Sequence, residues 1–111
     1  MIERYVILTI KKENRNDFMQ IFYHSRELIC SFDGCQHVEL LQSASDDSKF
    51  MTFSIWKSEL HLESYRTSAL FSQIWKQVKP FFRDRAEALS IFPDNEKDGL
   101  KKQIFLAKFE K

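Results

Sequence analysis

Glycine and proline are scarce in this chain: its 111 residues include only two of each. The few that occur fall at boundaries. Asp33-Gly34 reads as a turn, Pro80 should interrupt a helix, and Pro93 to Gly99 (PDNEKDG) is polar and turn-rich. Cysteine is equally sparse. Cys30 and Cys35 lack metal-type spacing and companion ligands, and two thiols in a reducing compartment are most simply free. Neither sign of charge dominates: seventeen basic against sixteen acidic residues give a net charge of +1, with no broad pull toward nucleic acid or an anionic membrane. Long apolar runs are missing too. Tyr5 to Ile10 is too short for a signal-peptide core and has no cleavage site, and no segment approaches membrane-spanning length, so a cytoplasmic protein with no membrane partner is expected. There is no Gly-rich phosphate loop, no Cys/His metal set, no dinucleotide or flavin fingerprint, and no Ser or Cys nucleophile in a recognisable neighbourhood. The expectation is therefore no metal and no cofactor.

What the chain has in quantity is aromatic area: eleven Phe, three Tyr and two Trp. A single domain of this size has limited interior, so these rings point to an aromatic-lined cavity or an oligomer interface, with an ordinary aromatic core as the plainer reading. Residues 2–10 read as a strand with Tyr5, Ile7 and Thr9 on one face and Val6, Leu8 and Ile10 on the other. Asn14 is a candidate N-cap, with Asp17 well placed for the N-terminus of a helix whose apolar stripe is Phe18, Ile21, Phe22, Leu28, Ile29 and Phe32. Cys35 to Gln42 reads as a second strand. The polar loop Ser43 to Ser48 then makes the strand from about Lys49 its antiparallel neighbour.

The chain is organised around Phe50 to Phe71. Phe50, Thr52, Ser54 and Trp56 alternate with Met51, Phe53 and Ile55; after Trp56 the period changes, Ser58 caps, and Leu62, Tyr65 and Ala69 follow at helical spacing. Ser68 begins a further helix carrying Phe71, Ile74, Trp75 and Val78, and residues 86–92 read as the last strand of the sheet. The order strand, helix, strand, strand, helix pair, strand predicts an α+β fold, a ferredoxin-like split arrangement with helices on one face of an antiparallel sheet. The other face carries apolar groups as well, and pairing it with a twin subunit would bury it, which predicts a homodimer. In the tail, Gln103 to Phe109 could be a strand, one turn of amphipathic helix or a frayed end; docking is favoured, as an added edge strand on the partner subunit.

Trp56-Lys57-Ser58, Tyr65 nine residues after the tryptophan and Phe71 six further on resemble the antibiotic biosynthesis monooxygenase (ABM) domains, as do the Asp33-Gly34 turn before a strand and the phenylalanine-bearing helix before the last strand. The resemblance covers residues 1–93 as one domain and leaves 94–111 as an unmatched extension. It implies a dimeric α+β barrel in which two sheets pair. One branch of similar proteins binds and opens haem with an asparagine, a tryptophan and a histidine. Counted from the Trp-Lys-Ser corner, those positions hold Val6, Tyr65 and Trp75 here, and neither Val6 nor Trp75 can supply the chemistry, so haem degradation is the reading least supported.

The other branch oxidises phenols, quinols or polyketide-like substrates with O2 and no metal or flavin. By resemblance, Val6, Trp56, Phe71 and Trp75 would form the substrate wall beside Tyr65, with Tyr65 or His61 as the proton-handling group. His61 lies four residues before Tyr65, on the same side of a helix. A cofactor-independent monooxygenase acting on a small electron-rich aromatic is thus the first expectation. The alternative is a non-catalytic dimer that binds a hydrophobic small molecule, or a stress-related protein. All of these rings are equally explicable as packing.

Overall fold

The computed structural model describes residues 1–110. Its central strand, β1 (Ile2–Thr9), pairs antiparallel with β3 (Lys49–Trp56) on one side and β4 (Glu87–Ile91) on the other; β2 (Cys35–Gln42) completes the sheet outside β3, in the order β2-β3-β1-β4. Strand alternation then fixes two faces. Ile2, Leu8, Val38, Phe50 and Trp56 point toward the helices, where they form the core with Phe18, Phe22 and Ile29 of α1 (Arg15–Cys30), Leu62 of α2 (Glu59–Arg66) and Val78 of α3 (Ala69–Val78). This is the expected ferredoxin-like α+β arrangement, with α1 to α3 on one face.

Local signals explain most boundaries. Ser58 Oγ accepts the backbone N–H of His61 at 3.3 Å and Ser68 Oγ that of Phe71 at 3.1 Å, so both serines cap their helices as expected. Pro80 cannot continue α3, which tightens into a 3-10 turn over Lys79–Phe81. Asn14 differs from expectation. A 3-10 turn, Lys12–Asn14, runs directly into α1, and the Asn14 side chain makes no capping bond. Leu28, placed on the apolar stripe by its spacing, is exposed on α1, whose buried line runs through Phe18, Phe22 and Ile29.

The largest departure is the tail. Residues Glu96–Glu110 form a helix, α4, rather than an edge strand, and it lies on the sheet face opposite α1 to α3 within the same chain. Asn95 Oδ1 accepts the backbone N–H groups of Lys97 and Asp98 and so starts the helix. Phe105 and Phe109, one turn apart, pack with Leu106 against Tyr5, Ile7, Met51 and Ile91. Polar contacts fasten both ends: Lys102 reaches Glu3 at 3.3 Å, Lys108 reaches Glu87 at 3.3 Å, and Ser45 Oγ donates to the Glu110 carbonyl at 3.0 Å. The face assigned to a twin subunit is therefore partly occupied by the chain itself. On the β2 side, Leu41 is exposed and Phe53 and Ile55 half-buried beside the His37–Glu39 pair.

Candidate functional site

Between the sheet and its three covering helices lies a cavity of about 670 Å³. Its floor is set by strand register. Val6 is flanked by Thr52 of β3 and Ala88 of β4; one pair of residues along, Arg4 is flanked by Ser54 and Ser90. Tyr65 and Arg66 enter from α2, Phe71, Ile74 and Trp75 from α3, and the segment after α3 closes the rim with Lys79, Phe82, Asp84 and Arg85.

The aromatic wall is continuous. Trp56, wholly buried at the end of β3, stacks on Tyr65 with centroids 4.8 Å apart; Tyr65 meets Phe71 edge-on at 5.3 Å; Phe71 stacks on Trp75 at 5.7 Å; and Trp75 meets the edge of Phe82 at 5.2 Å. Phe32, just beyond α1, closes behind Trp56 and Tyr65. The change of period after Trp56 creates this geometry, because the strand delivers one ring and the helix capped by Ser58 delivers the next above it. Val6, Trp56, Tyr65, Phe71 and Trp75 all line the cavity.

His61 does not join them. Its Nδ1 lies 2.6 Å from Ser58 Oγ, its Nε2 lies 3.7 Å from Asp33, and its ring covers Gly34. Gly34 has a φ of +85°, and a Cβ there would collide with the imidazole, so glycine is required on two counts. The i, i+4 spacing placed His61 beside Tyr65 on α2, but the Ser58 cap turns the imidazole toward the Asp33-Gly34 loop.

Burial raises the Tyr65 phenol well above the usual tyrosine range, with Cys35 adding to the effect. Tyr65 is thus a neutral hydrogen-bond donor at physiological pH and a poor general base. Burial, and secondarily Cys30, also pushes the Cys35 thiol up to about 11. Because the folded state favours the neutral thiol, this contribution to stability is present below pH 9 and is lost as pH rises through about 11. The urea midpoint should therefore hold through pH 8.5 and fall across this window, and Cys35→Ala should flatten part of the fall. An unchanged slope in that variant would remove Cys35 from the effect.

Sequence reasoning missed the polar components. Arg4 lies between apolar Ile2 and Val6 on the helix-facing side of β1, a charge where alternation calls for an apolar residue, and that was the available signal. No histidine, cysteine or methionine lines the cavity, so its walls offer iron none of the usual nitrogen or sulfur axial ligands, and the high phenol pKa of Tyr65 opposes a phenolate ligand. Haem does not fit these residues. Among the described residues, no three His, Cys, Asp or Glu side chains converge as a metal site.

A four-stranded antiparallel sheet in this order, with an aromatic cavity under its helices, defines a ferredoxin-like α+β protein. The chain belongs to the antibiotic biosynthesis monooxygenase family, whose model matches residues 1–77. Proteins of this family are commonly dimeric. No curated protein sequence matches the chain. Solved structures do. A protein of Nitrosomonas europaea placed in the same family is similar with a TM-score of 0.79 at 16% identity, covering 86% of this chain and 100% of the other. A conserved protein from Methanosarcina mazei Go1 gives 0.78 at 19% identity, covering 81% and 89%, and Rv0793 from Mycobacterium tuberculosis gives 0.78 at 17%, covering 86% and 96%. At such identities the likeness concerns the fold. No helix among the described residues is long and apolar enough to cross a membrane.

Proposed function

We propose that the chain is a cofactor-independent monooxygenase that oxidises a small electron-rich aromatic substrate, a phenol, quinol or polyketide-like ring, with O2. The observation that carries this reading is the cavity itself, walled by Trp56, Tyr65, Phe71 and Trp75 and large enough for a two- or three-ring substrate. Rings as broad as Trp56, Phe71 and Trp75 hold a planar substrate and exclude water. Cationic Arg4, Arg66, Lys79 and Arg85 outnumber Asp84 around the cavity and favour the ionised phenol.

An ionised polyaromatic is itself the reductant. For an anthrone-type ring, the carbanion carbon gives an electron to O2 and recombines with the resulting superoxide to form a hydroperoxide. Loss of water breaks the O–O bond and leaves a carbonyl. Converting CH2 to C=O releases four electrons, and O2 accepts four, with one oxygen atom retained in the product and one released as water. In this scheme Tyr65 donates a hydrogen bond to the developing oxygen anion, an interaction that strengthens as charge builds. His61 is left outside, as a helix-start contact.

Tyr65→Phe keeps the ring and removes the donor. It should lower enzyme-dependent turnover of an anthrone by roughly 10- to 100-fold, in the range for loss of one oxyanion donor, with thermal stability nearly unchanged. Unchanged turnover would remove Tyr65 from the mechanism. The second reading, a non-catalytic binding protein, is favoured by one observation: among the described residues Asp84 is the only carboxylate lining the cavity, and it lies beside Arg83 at 3.4 Å. Saturable binding of the same ring without oxygen uptake would select that reading.

We also propose that the protein works as a homodimer in the cytoplasm, where its free thiols would persist. Sheet-to-sheet pairing then involves the open strip of Leu41, Phe53 and Ile55, and full pairing requires α4 to leave its own sheet.

A further inference from the structure

Arg4 is the residue that packing does not explain. It sits on the cavity floor in the middle of the sheet, with its guanidinium half-buried. Among the described residues it makes one side-chain hydrogen bond, donated by Nη1 to Ser90 Oγ at 2.8 Å, and no ion pair within 4.0 Å. A guanidinium carries five donors in a planar fork, so most of its capacity is unused. The nearest cation aggravates the cost. Arg66 also lines the cavity and, after burial, is the main influence holding the Arg4 pKa below its ordinary value; Glu63, which acts the other way, is already engaged by Arg66 at 3.3 Å.

Two like charges at an apolar cavity, one of them half desolvated, oppose folding unless something else is gained. An apolar side chain at this position would extend the Ile2–Val6–Leu8 face of β1. Arg85 and Lys79, exposed on the rim, add positive charge on the other side of the opening. Thr52 and Ser54 on the cavity floor, with Ser90 across from Arg4 on β4, set three hydroxyl side chains beside Val6 and Arg4.

We infer that the substrate carries a carboxylate, which Arg4 binds through its free guanidinium edge while the aromatic body of the ligand lies against Trp56, Tyr65 and Phe71. The substrate class is an aromatic hydroxy acid rather than a neutral phenol. This rests on the oxygenase reading for the reaction, but the site itself is defined by binding. Bidentate charge-assisted pairing orients the ring as well as holding it, so the oxidised carbon is presented to Tyr65 in one register.

The test compares 1-hydroxy-2-naphthoate with 1-naphthol by isothermal titration calorimetry on the full-length protein, without oxygen turnover. The hydroxynaphthoate should bind about 10- to 100-fold more tightly, the range for a charge-assisted hydrogen bond in a partly buried site. Arg4→Met should abolish that preference by weakening the hydroxynaphthoate far more than the naphthol, and Arg4→Lys should restore part of it. Equal affinity of the wild-type protein for the two ligands would overturn the inference, and that comparison requires no variant to fold. Equal weakening of both ligands by Arg4→Met would also overturn it. Binding of neither would overturn both this inference and the catalytic reading, whereas a clear carboxylate preference with no oxygen uptake would leave the site standing and contradict only the reaction.

Discussion

Removing residues 94–111 should make the protein dimerise far more tightly. In the full chain, Phe105, Leu106 and Phe109 of α4 cover Tyr5, Ile7, Met51 and Ile91. Burying side chains of this size contributes about 1.5–3 kcal/mol each as an upper estimate. Loss of α4 exposes a contiguous apolar patch on β1, β3 and β4, joined to the half-open strip of Phe53, Ile55 and Leu41. A patch of that kind in water associates with its like, and a two-fold copy is the commonest partner. The truncated chain should therefore dimerise at least 100-fold more tightly than the full chain, as read by light scattering over a dilution series. A truncated protein that stays monomeric and folded would show that α4 does not compete for this face. The family match ends at residue 77 and does not reach α4.

The second large effect is expected at Trp56. Its side chain has 0% relative exposure, packs in the cluster of Ile2, Phe22, Ile29, Val38 and Leu62, stacks on Tyr65, and donates from Nε1 to Ser54 Oγ at 2.9 Å. Trp56→Ala should cost about 3–5 kcal/mol, the range for deleting a fully buried large aromatic. The same change removes the wall that holds Tyr65 over the cavity, so ligand affinity should fall together with stability. Trp75→Ala provides the contrast, because Trp75 is only partly buried and stacks on Phe71 near the cavity rim. It should reduce ligand affinity with much less loss of stability. A small effect of Trp56→Ala in urea denaturation would contradict the packing described here.

Much of the fold is legible from local chemistry. Ser58 and Ser68 precede apolar stripes, Pro80 stops a helix, and the alternation from Phe50 to Trp56 gives both the strand and its two faces. The aromatic wall is legible for the same reason, since Trp56, Tyr65, Phe71 and Trp75 are set by one strand end and two capped helices. The tail was harder to read. Phe105, Leu106 and Phe109 carry a helical stripe, but exposed Leu100 and Ile104 blur it and Gly99 weakens helix propensity, so the docked face emerges only against the sheet. For His61 a different detail sets the placement. Helical spacing relates Cβ positions, while the Ser58 hydroxyl decides where the imidazole turns. Asn14 lost its capping role because a 3-10 turn already satisfies the chain entering α1.

The central proposal is that the cavity performs oxygen chemistry with the substrate as reductant. The direct measurement is oxygen uptake by the purified, metal-free protein with an anthrone-type phenol under 18O2, together with mass analysis of product and water. The expected result is enzyme-dependent uptake above the autoxidation blank, one 18O atom in each product molecule, one in water, no requirement for a nicotinamide or flavin reductant, and a marked loss in Tyr65→Phe. No uptake above the blank with a substrate that binds saturably, or uptake unaffected by Tyr65→Phe and Trp56→Ala alike, would contradict it.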